Sequence, residues 1–199
     1  MMLIEHRGIA PRVAESAYVA PTAVLCGDVE IGDDCRIMFG AVVVAEGAPV
    51  RIGPRTVIME NAVVRAWPEL PVLIGNDVMI GSAANMNGAE IDQHAFIAAG
   101  ATIFPAAHIG ERAIVRTNGV VHINTELPPK RVVPEGWTAI GRPAEVVPPG
   151  QDERMFFSLY GMNFTKAVFG ESRAEVGMKN YLDLFVAHRD DRPADDSTP

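Results

Sequence analysis

The sequence predicts a mainly β fold, a left-handed parallel β-helix of hexapeptide repeats with C-terminal α-helices packed on it. The first observation is that aliphatic residues recur at every sixth position, for example at Leu25, Ile31 and Ile37. The second is that Gly or a small polar residue often follows them, as in Ile52-Gly53-Pro54. A helix repeats at about 3.6 residues and a strand at about 2, so a period of six indicates short strands that each end in a corner.

The repeat divides the chain into three predicted parts. Residues 1–147 are expected to form the β-helix domain, because Pro residues interrupt regular coils after Leu127. Residues 148–188 are predicted to form a helical extension, and residues 189–199, which are acidic and contain Pro, a flexible tail. In the extension, one apolar stripe suited to packing on a flat face comprises Met178, Tyr181, Leu182, Phe185 and Val186.

Two interruptions of the repeat predict loops on the coil. Residues 45–51 and 66–73 do not fit the period, and the repeats resume in phase only after them. The step from Met86 to Ile91 is one residue short, which indicates a sharp turn at Asn87-Gly88. Loops on a rigid scaffold are common places for binding groups, so these breaks are candidate positions for a site.

Composition excludes several classes of function. The chain has 199 residues, of which 48% are hydrophobic, so it can bury a continuous core. Its formal charge of −8 argues against a nucleic-acid partner. No apolar run reaches the roughly 18–20 residues of a membrane span and no secretion signal is evident, so we expect a cytoplasmic protein without a membrane partner. Cys26 and Cys35 have no His at metal spacing and are predicted to be buried, reduced thiols.

Several segments resemble the gamma-class carbonic anhydrase family over about residues 9–147. The resemblance is carried by Tyr18-Val19-Ala20-Pro21-Thr22-Ala23-Val24, by Gly27-Asp28-Val29-Glu30-Ile31-Gly32 and by Gly141-Arg142-Pro143-Ala144-Glu145-Val146-Val147. Hexapeptide repeats alone are shared with many acyltransferases, whereas the shortened repeat and the two loop positions favour this family. The resemblance implies a homotrimer in which three histidines hold zinc between two subunits.

The residues at the implied zinc positions are not histidines. Matching the family motif to this sequence places Arg65, Ser82 and Asn87 there. Zinc needs donors with a free lone pair, and a guanidinium has none and repels a dication. The sequence therefore predicts a protein without the family's zinc site, with no metal or other cofactor, and without carbon dioxide hydration by a zinc-bound hydroxide.

The repeat also predicts which side chains lie together. Residues one coil apart stack at about 4.8 Å, which places Arg65, Asn87, Phe104 and His122 in one column and Glu60 and Ser82 in another. We expect Arg65, Ser82 and Asn87 to bind a small anionic ligand, because a guanidinium grips a carboxylate or phosphate through two hydrogen bonds. Glu60 and His122 are the candidates for general acid or base catalysis. Alternatively, Arg65 pairs with Glu60 or with a neighbouring subunit and has a purely structural role.

Three function classes remain open from the sequence. The first is a metal-free site in the inter-subunit cleft, for binding or for lyase or hydrolase chemistry on a carboxylate or acyl compound. The second is a non-catalytic trimeric scaffold or binding module. The third is an acyltransferase that uses coenzyme A, for which Gly141-Arg142-Pro143-Ala144 is a weak signal shared with the carbonic anhydrases.

Overall fold

A computed structural model describes residues 1–151 and 174–194. It confirms the predicted parallel β-helix of hexapeptide repeats, in which three sheets form the sides of a triangular coil. Sheets 2 and 3 each have seven strands, and sheet 1 has ten. Except for the last two strands, neighbouring strands in each sheet are every third strand of the chain, as a coil of three strands per turn requires, and the last two strands add antiparallel to the two edges of sheet 1.

The strands are short and their bounds follow the repeat. Sheet 1 contains β1 (Met2–Glu5), β4 (Val24–Cys26), β7 (Val42–Ala45), β10 (Val63–Ala66), β13 (Asn85–Asn87), β16 (Thr102–Ile103), β19 (Val120–Val121), β22 (Thr138–Ile140), β23 (Glu145–Val147) and β24 (Arg192–Pro193). Sheet 2 contains β2 (Arg12–Val13), β5 (Val29–Ile31), β8 (Val50–Ile52), β11 (Val72–Ile74), β14 (Glu90–Ile91), β17 (His108–Ile109) and β20 (Glu126–Leu127). Sheet 3 contains β3 (Tyr18–Val19), β6 (Arg36–Ile37), β9 (Val57–Ile58), β12 (Met79–Ile80), β15 (Phe96–Ile97), β18 (Ile114–Val115) and β21 (Val132–Val133).

The recurring aliphatic residues form the core. Leu25, Val43 and Val64 are fully buried and stack in register along sheet 1, and the isoleucines of the other sheets do the same. Glycine follows the aliphatic residue where successive corners touch. A Cβ on Gly53 would lie 2.8 Å from the carbonyl carbon of Gly75, too close for any side chain. The glycine pattern in the sequence therefore reflects close stacking of coil corners.

The three outer faces differ in chemistry. The outward column of sheet 2 is mostly charged and comprises Arg12, Glu30, Arg51, Leu73, Glu90, His108 and Glu126. The outward column of sheet 3 is mostly apolar and comprises Tyr18, Arg36, Val57, Met79, Phe96, Ile114 and Val132. Phe96 and Val132 remain 40% and 38% exposed, so the described residues of one chain leave this apolar face of sheet 3 uncovered.

The C-terminal segment returns to the start of the coil. Helix α1 (Ala174–Val186) continues into a 3-10 helix (Ala187–Asp190), and β24 then pairs antiparallel with β1. This pairing lies in the segment assigned to a tail from the sequence, and the division into domains stays a prediction. Residues 152–173 of the predicted helical extension lie outside the described residues.

The apolar stripe of α1 packs less than the sequence predicts. Met178 and Leu182 are 51% and 61% exposed, and Val186 is also exposed. Phe185 is half-buried and meets Trp67 edge to face, with ring centroids 6.2 Å apart. Between the described parts of the chain, α1 is held to the coil through Phe185 and through a hydrogen bond that Nη2 of Arg7 donates to the carbonyl oxygen of Leu184 at 3.4 Å. In those same parts, no helix is long and apolar enough to cross a membrane.

Both predicted loops are present and are shorter than expected. The strands extend into residues 45–51 and 66–73, so the chain leaves the coil only around Glu46-Gly47-Ala48-Pro49 and around the turn from Trp67 to Leu70. In that turn the backbone N–H groups of Trp67 and Leu70 each donate to the other residue's carbonyl, at 3.0 and 2.9 Å. These loops place Glu46 and Trp67 beside the outer face of sheet 1.

Candidate functional site

Arg65 and Asn87 lie together, as the column predicts. They are paired in register on β10 and β13, and both side chains point outward because Val64 and Met86 point into the core. The Arg65 side chain is 26% exposed. The next two members of the column, Phe104 and His122, stack with ring centroids 5.2 Å apart.

The surroundings of Arg65 are aromatic on one side and acidic on the other. Its guanidinium carbon lies 5.4 Å from the centre of the Trp67 ring and 5.9 Å from that of Phe185. Its Nη1 is 3.9 Å from Oε1 of Glu46, a carboxylate that is 1% exposed. Within the described residues Arg65 faces Glu46 and forms no ion pair with Glu60.

The side-chain amide of Asn87 is already bonded on both sides. Its Nδ2 donates to Oδ1 of Asn85 at 2.6 Å, and its Oδ1 accepts from Nε1 of Trp67 at 3.3 Å. Asn87 therefore orients Trp67, whose ring lies beside the guanidinium of Arg65. We refer to Arg65, Trp67 and Asn87 together as the Arg65 site.

Ser82 and Glu60 lie at the opposite ends of the same strands. They follow β12 and β9, at the corner where the chain enters sheet 1, and Oγ of Ser82 donates to Oε2 of Glu60 at 3.2 Å. Five residues separate Ser82 from Asn87, a distance on the order of 10–15 Å along extended chain. One chain therefore does not bring Ser82 and Glu60 to Arg65. The absence of the family's zinc site stays a prediction, for which the chemical argument is that the guanidinium of Arg65 has no lone pair to give a metal.

His122 is half-buried, and its ring contacts both the backbone and a neighbouring aromatic side chain. Its Nδ1 accepts the N–H of Ile123 at 2.9 Å, and its ring packs on Phe104. Burial lowers the pKa of His122 below its ordinary value. Phe104 separates this ring from Asn87, so His122 does not join the Arg65 site within one chain.

A second polar cluster, which we call the terminal cluster, comprises His6, Cys26, Glu46, His188 and Asp191. His6 begins the turn after β1, where Arg7 and Gly8 adopt positive φ of 54° and 75° and the His6 and Ile9 backbones exchange two hydrogen bonds of 3.0 Å. Cys26 ends β4 and points outward in the column of Val44 and Arg65. His188 and Asp191 come from the 3-10 helix and the residue after it.

Two histidines are sandwiched between two carboxylates in the terminal cluster. Nδ1 of His6 lies 2.6 Å from one oxygen of Asp191, and Nδ1 of His188 lies 2.6 Å from the other. On the far side, Nε2 of His188 is 2.9 Å from Glu46, and Nε2 of His6 is 4.0 Å from the same carboxylate. The two imidazole rings stack with centroids 4.4 Å apart. Cys26 Sγ lies 3.9 Å from Asp191.

The electrostatics of the cluster follow from burial and these contacts. Burial, together with the nearby carboxylates of Asp191 and Glu46, raises the pKa of the Cys26 thiol to about 12, so the free thiol is protonated. For His188, burial lowers the pKa, but hydrogen bonds to Asp191 and Glu46 outweigh burial and raise it above the ordinary value. For Asp191, burial raises the pKa, but hydrogen bonds from His188 and His6 outweigh it and lower the pKa.

The sequence did not reveal the terminal cluster. Cys26 is a free, buried thiol, as predicted, and no histidine stands at metal spacing from it in the sequence, yet the donor atoms of His6, Cys26, His188 and Asp191 all lie within 4.8 Å of one another. His6 and Asp191 are 185 positions apart, and no spacing rule connects them. The local signal was the three-residue spacing of His188 and Asp191, which places both on one side of a helical turn.

Comparisons with known proteins agree with the fold. The chain is 33% identical over 146 residues to a protein named carbonic anhydrase from Geobacillus kaustophilus, covering 73% of this chain and 77% of that protein. It is 30% identical over 154 residues to gamma carbonic anhydrase 2, mitochondrial, of Arabidopsis thaliana, covering 74% of this chain and 53% of that protein. No protein-family model matches the sequence.

A solved structure resembles the chain at the level of fold. The crystal structure of a putative acetyltransferase from Bacillus cereus superimposes with a TM-score of 0.56 and covers 92% of this chain and 96% of that one. The two sequences are 22% identical. This likeness concerns the β-helix itself, which carbonic anhydrase-like and acyltransferase-like proteins share.

Proposed function

This chain belongs to the gamma-class carbonic anhydrase family of hexapeptide-repeat proteins, and from that premise we propose that it binds a small carboxylate at Arg65 in an inter-subunit cleft of a homotrimer. Its function is then not zinc-dependent hydration of carbon dioxide. The proposal depends on one observation, that the Arg65 guanidinium makes no hydrogen bond within the described residues. This group is permanently charged, part-exposed and flanked by Trp67 and Phe185.

The charge and shape of this group suit a carboxylate. Glu46 lies 3.9 Å from one guanidinium nitrogen, beyond a hydrogen bond, so the N–H donors remain available to an incoming anion. The rings of Trp67 and Phe185 hold the planar guanidinium in one orientation. This lowers the entropy cost of forming two parallel hydrogen bonds to a carboxylate. Asn87 contributes by holding Trp67 in place, while its own amide is largely occupied.

The homotrimer is supported by the apolar face of sheet 3. Six of the seven outward side chains in that column are apolar, whereas sheet 2 carries mostly charges. Proteins of this family are typically trimers. In a trimer, a neighbouring chain would bring its Ser82 and Glu60 to the Arg65 site, which one chain cannot do. We place the protein in the cytoplasm, which the free thiols of Cys26 and Cys35 support.

Ligand binding is tested by thermal shift and calorimetry with the full chain. Acetate, malonate, inorganic phosphate, acetyl-coenzyme A and zinc are titrated into the wild type, Arg65→Gln and Arg65→Lys. We expect a carboxylate to raise the melting temperature of the wild type, Arg65→Lys to weaken binding and Arg65→Gln to abolish it. An equal response in Arg65→Gln would contradict the proposal, and a response to acetyl-coenzyme A alone would favour an acyltransferase.

Assembly and activity are measured separately. Light scattering is expected to give a trimer for the wild type and smaller species for Phe96→Asp, with Glu90→Lys on the charged face as the matched control. Stopped-flow hydration of carbon dioxide with added zinc is expected to match the uncatalysed rate. A monomeric wild type would contradict the cleft, and zinc-dependent hydration would contradict the proposed function.

A further inference from the structure

The terminal cluster has the donor set of a transition-metal site at a place separate from the Arg65 site. His6, Cys26, His188 and Asp191 each offer one donor atom, and all four atoms lie within 4.8 Å of one another. We propose that these four side chains bind one divalent transition metal ion of the zinc type, which clasps the two ends of the chain to the coil. This proposal does not depend on a ligand at Arg65.

The chemistry of the donors selects the class of metal. Two imidazoles, a thiolate and a carboxylate are the ligands that zinc takes in tetrahedral sites, and soft sulfur disfavours magnesium and calcium. All four ligands come from this chain, so the coordination sphere is closed as in structural zinc sites. The set is unlike an acidic surface cluster, because it contains one carboxylate among four donors and His6 is only 2% exposed.

The distances allow a metal after small movements. In a tetrahedral site with metal–ligand bonds of about 2.0–2.3 Å, neighbouring donor atoms lie about 3.3–3.7 Å apart. Each Nδ1 atom is now 2.6 Å from Asp191, and Cys26 Sγ is 3.9 Å from it. An ion therefore needs Asp191 to withdraw by about 1 Å, and Asp191 lies in the short extended connection between the 3-10 helix and β24.

Glu46 supplies the outer support that a metal-bound histidine needs. A histidine that ligates a metal through one nitrogen commonly donates its other N–H to a carboxylate, which orients the ring. Nε2 of His188 is 2.9 Å from Glu46, and Nε2 of His6 is 4.0 Å from the same group. Nε of Arg7 now donates to Nε2 of His6 at 3.1 Å, so Arg7, which is exposed, must turn away when that nitrogen becomes a donor.

The expected consequence is structural. The ligands join the turn after β1, the end of β4 and the segment after α1, which are far apart in sequence. A metal that binds the folded chain more tightly than the unfolded chain raises its stability and holds α1 against the coil. Chelation is therefore expected to lower the melting temperature and to increase proteolysis in the C-terminal segment while the coil persists.

The experiment is an anaerobic titration of chelator-treated, full-length protein with Co(II). We expect one ion per chain, a tetrahedral visible spectrum and a near-ultraviolet thiolate-to-cobalt charge-transfer band that zinc abolishes by displacement. Cys26→Ser should lose that band. His188→Asn and Asp191→Asn should weaken binding at least 10-fold, and Glu46→Gln, an outer group, about 10–100-fold. Circular dichroism of each metal-free variant checks that the coil has folded.

Two variants serve as matched controls. Cys35→Ser removes the other buried thiol, and Ser82→Ala alters a position where the family places a zinc ligand. Both should bind Co(II) within twofold of the wild type and keep the charge-transfer band. The proposal is overturned if the band is absent in the wild type, if it survives Cys26→Ser, or if binding is unaffected by the changes at His188 and Asp191, which would indicate adventitious metal only.

Discussion

The terminal cluster and the Arg65 site lie side by side on sheet 1 but are assembled in different ways. The Arg65 site is built by the repeat, since Arg65 and Asn87 are neighbours one coil apart. The terminal cluster is built by the two ends of the chain, which meet at β1 and β24. Glu46 contacts both groups, at 2.9 Å from His188 and 3.9 Å from Arg65. Side chains that the repeat brings together can be found from sequence, whereas side chains brought together by the pairing of β1 with β24 cannot.

The largest expected effect comes from Glu46, because its buried carboxylate faces His6, His188 and Arg65. Glu46→Ala should lower the free energy of unfolding by about 2–3 kcal/mol, since it removes a buried carboxylate that lies 2.9 Å from the His188 ring and 3.9 Å from the Arg65 guanidinium. Equilibrium urea unfolding measures this. Glu60→Ala is the control at the other corner and should cost about 1 kcal/mol, the value of its bond with Ser82. If Glu46→Ala and Glu60→Ala lowered the free energy of unfolding equally, the larger structural role assigned to Glu46 would be contradicted.

Phe185 tests whether α1 is held at the Arg65 site. Its ring packs on Trp67 and stacks on His188 with centroids 5.7 Å apart. Phe185→Ala should cost about 2 kcal/mol, roughly half the value for a fully buried ring, and should speed hydrogen exchange in α1 and β24. Leu182→Ala removes a side chain that is 61% exposed and should change stability by less than about 0.5 kcal/mol. Unchanged exchange in Phe185→Ala would show that α1 is held elsewhere.

A double-mutant cycle separates the partners of Arg65. Glu46→Gln and Arg65→Gln should couple by about 0.5–1 kcal/mol in unfolding measurements, because Arg65 is part-exposed and the two charges are close. The pair Glu30 and Arg65, on different faces, should couple by less than about 0.3 kcal/mol. Coupling of Arg65 with Glu60 would require a second chain, so it would be evidence for the proposed cleft. No coupling with Glu46 would contradict the described geometry.

The smallest effect is the pH dependence that arises from His122. Burial lowers its pKa, so the unfolded chain takes up a proton more readily than the folded chain. Stability should therefore fall as pH is lowered through 6.5, the ordinary value for His, and be unaffected by this group at higher pH. His122→Phe should reduce that acid-side slope in urea unfolding measured from pH 8 to pH 5. An unchanged slope would show that His122 does not titrate as described.

The columns of the β-helix could be predicted from sequence because each follows from one local period. The period placed Arg65 beside Asn87 and Ser82 beside Glu60, and the structure keeps both pairs. The six-residue period could not predict that Glu46 faces Arg65, because Glu46 lies in a loop where the period is interrupted. Arg65 lies in β10 and Ser82 at the corner before β13, so their shared pocket in the inter-subunit cleft stays a prediction.

The terminal cluster lay beyond sequence reasoning for a physical reason. His6 lies in the turn after β1, and His188 follows α1. The two meet because the C-terminal segment packs on the coil through contacts of Phe185 with Trp67 and of Arg192 with Glu5. Each is a long-range contact with no periodic signal. The apolar stripe of α1 predicted correctly that Phe185 packs on the coil, but Met178 and Leu182, which belong to the same stripe, stay exposed.

The central claim is that Cys26 and the two terminal histidines form a metal site. X-ray absorption at the zinc edge of the one-to-one zinc complex tests it most directly, because sulfur is distinguished from nitrogen and oxygen in the first coordination shell. We predict one sulfur at about 2.3 Å and three nitrogen or oxygen neighbours at about 2.0–2.1 Å, with histidine scattering beyond them. A shell without sulfur, or a protein that retains no zinc after desalting, would contradict the claim.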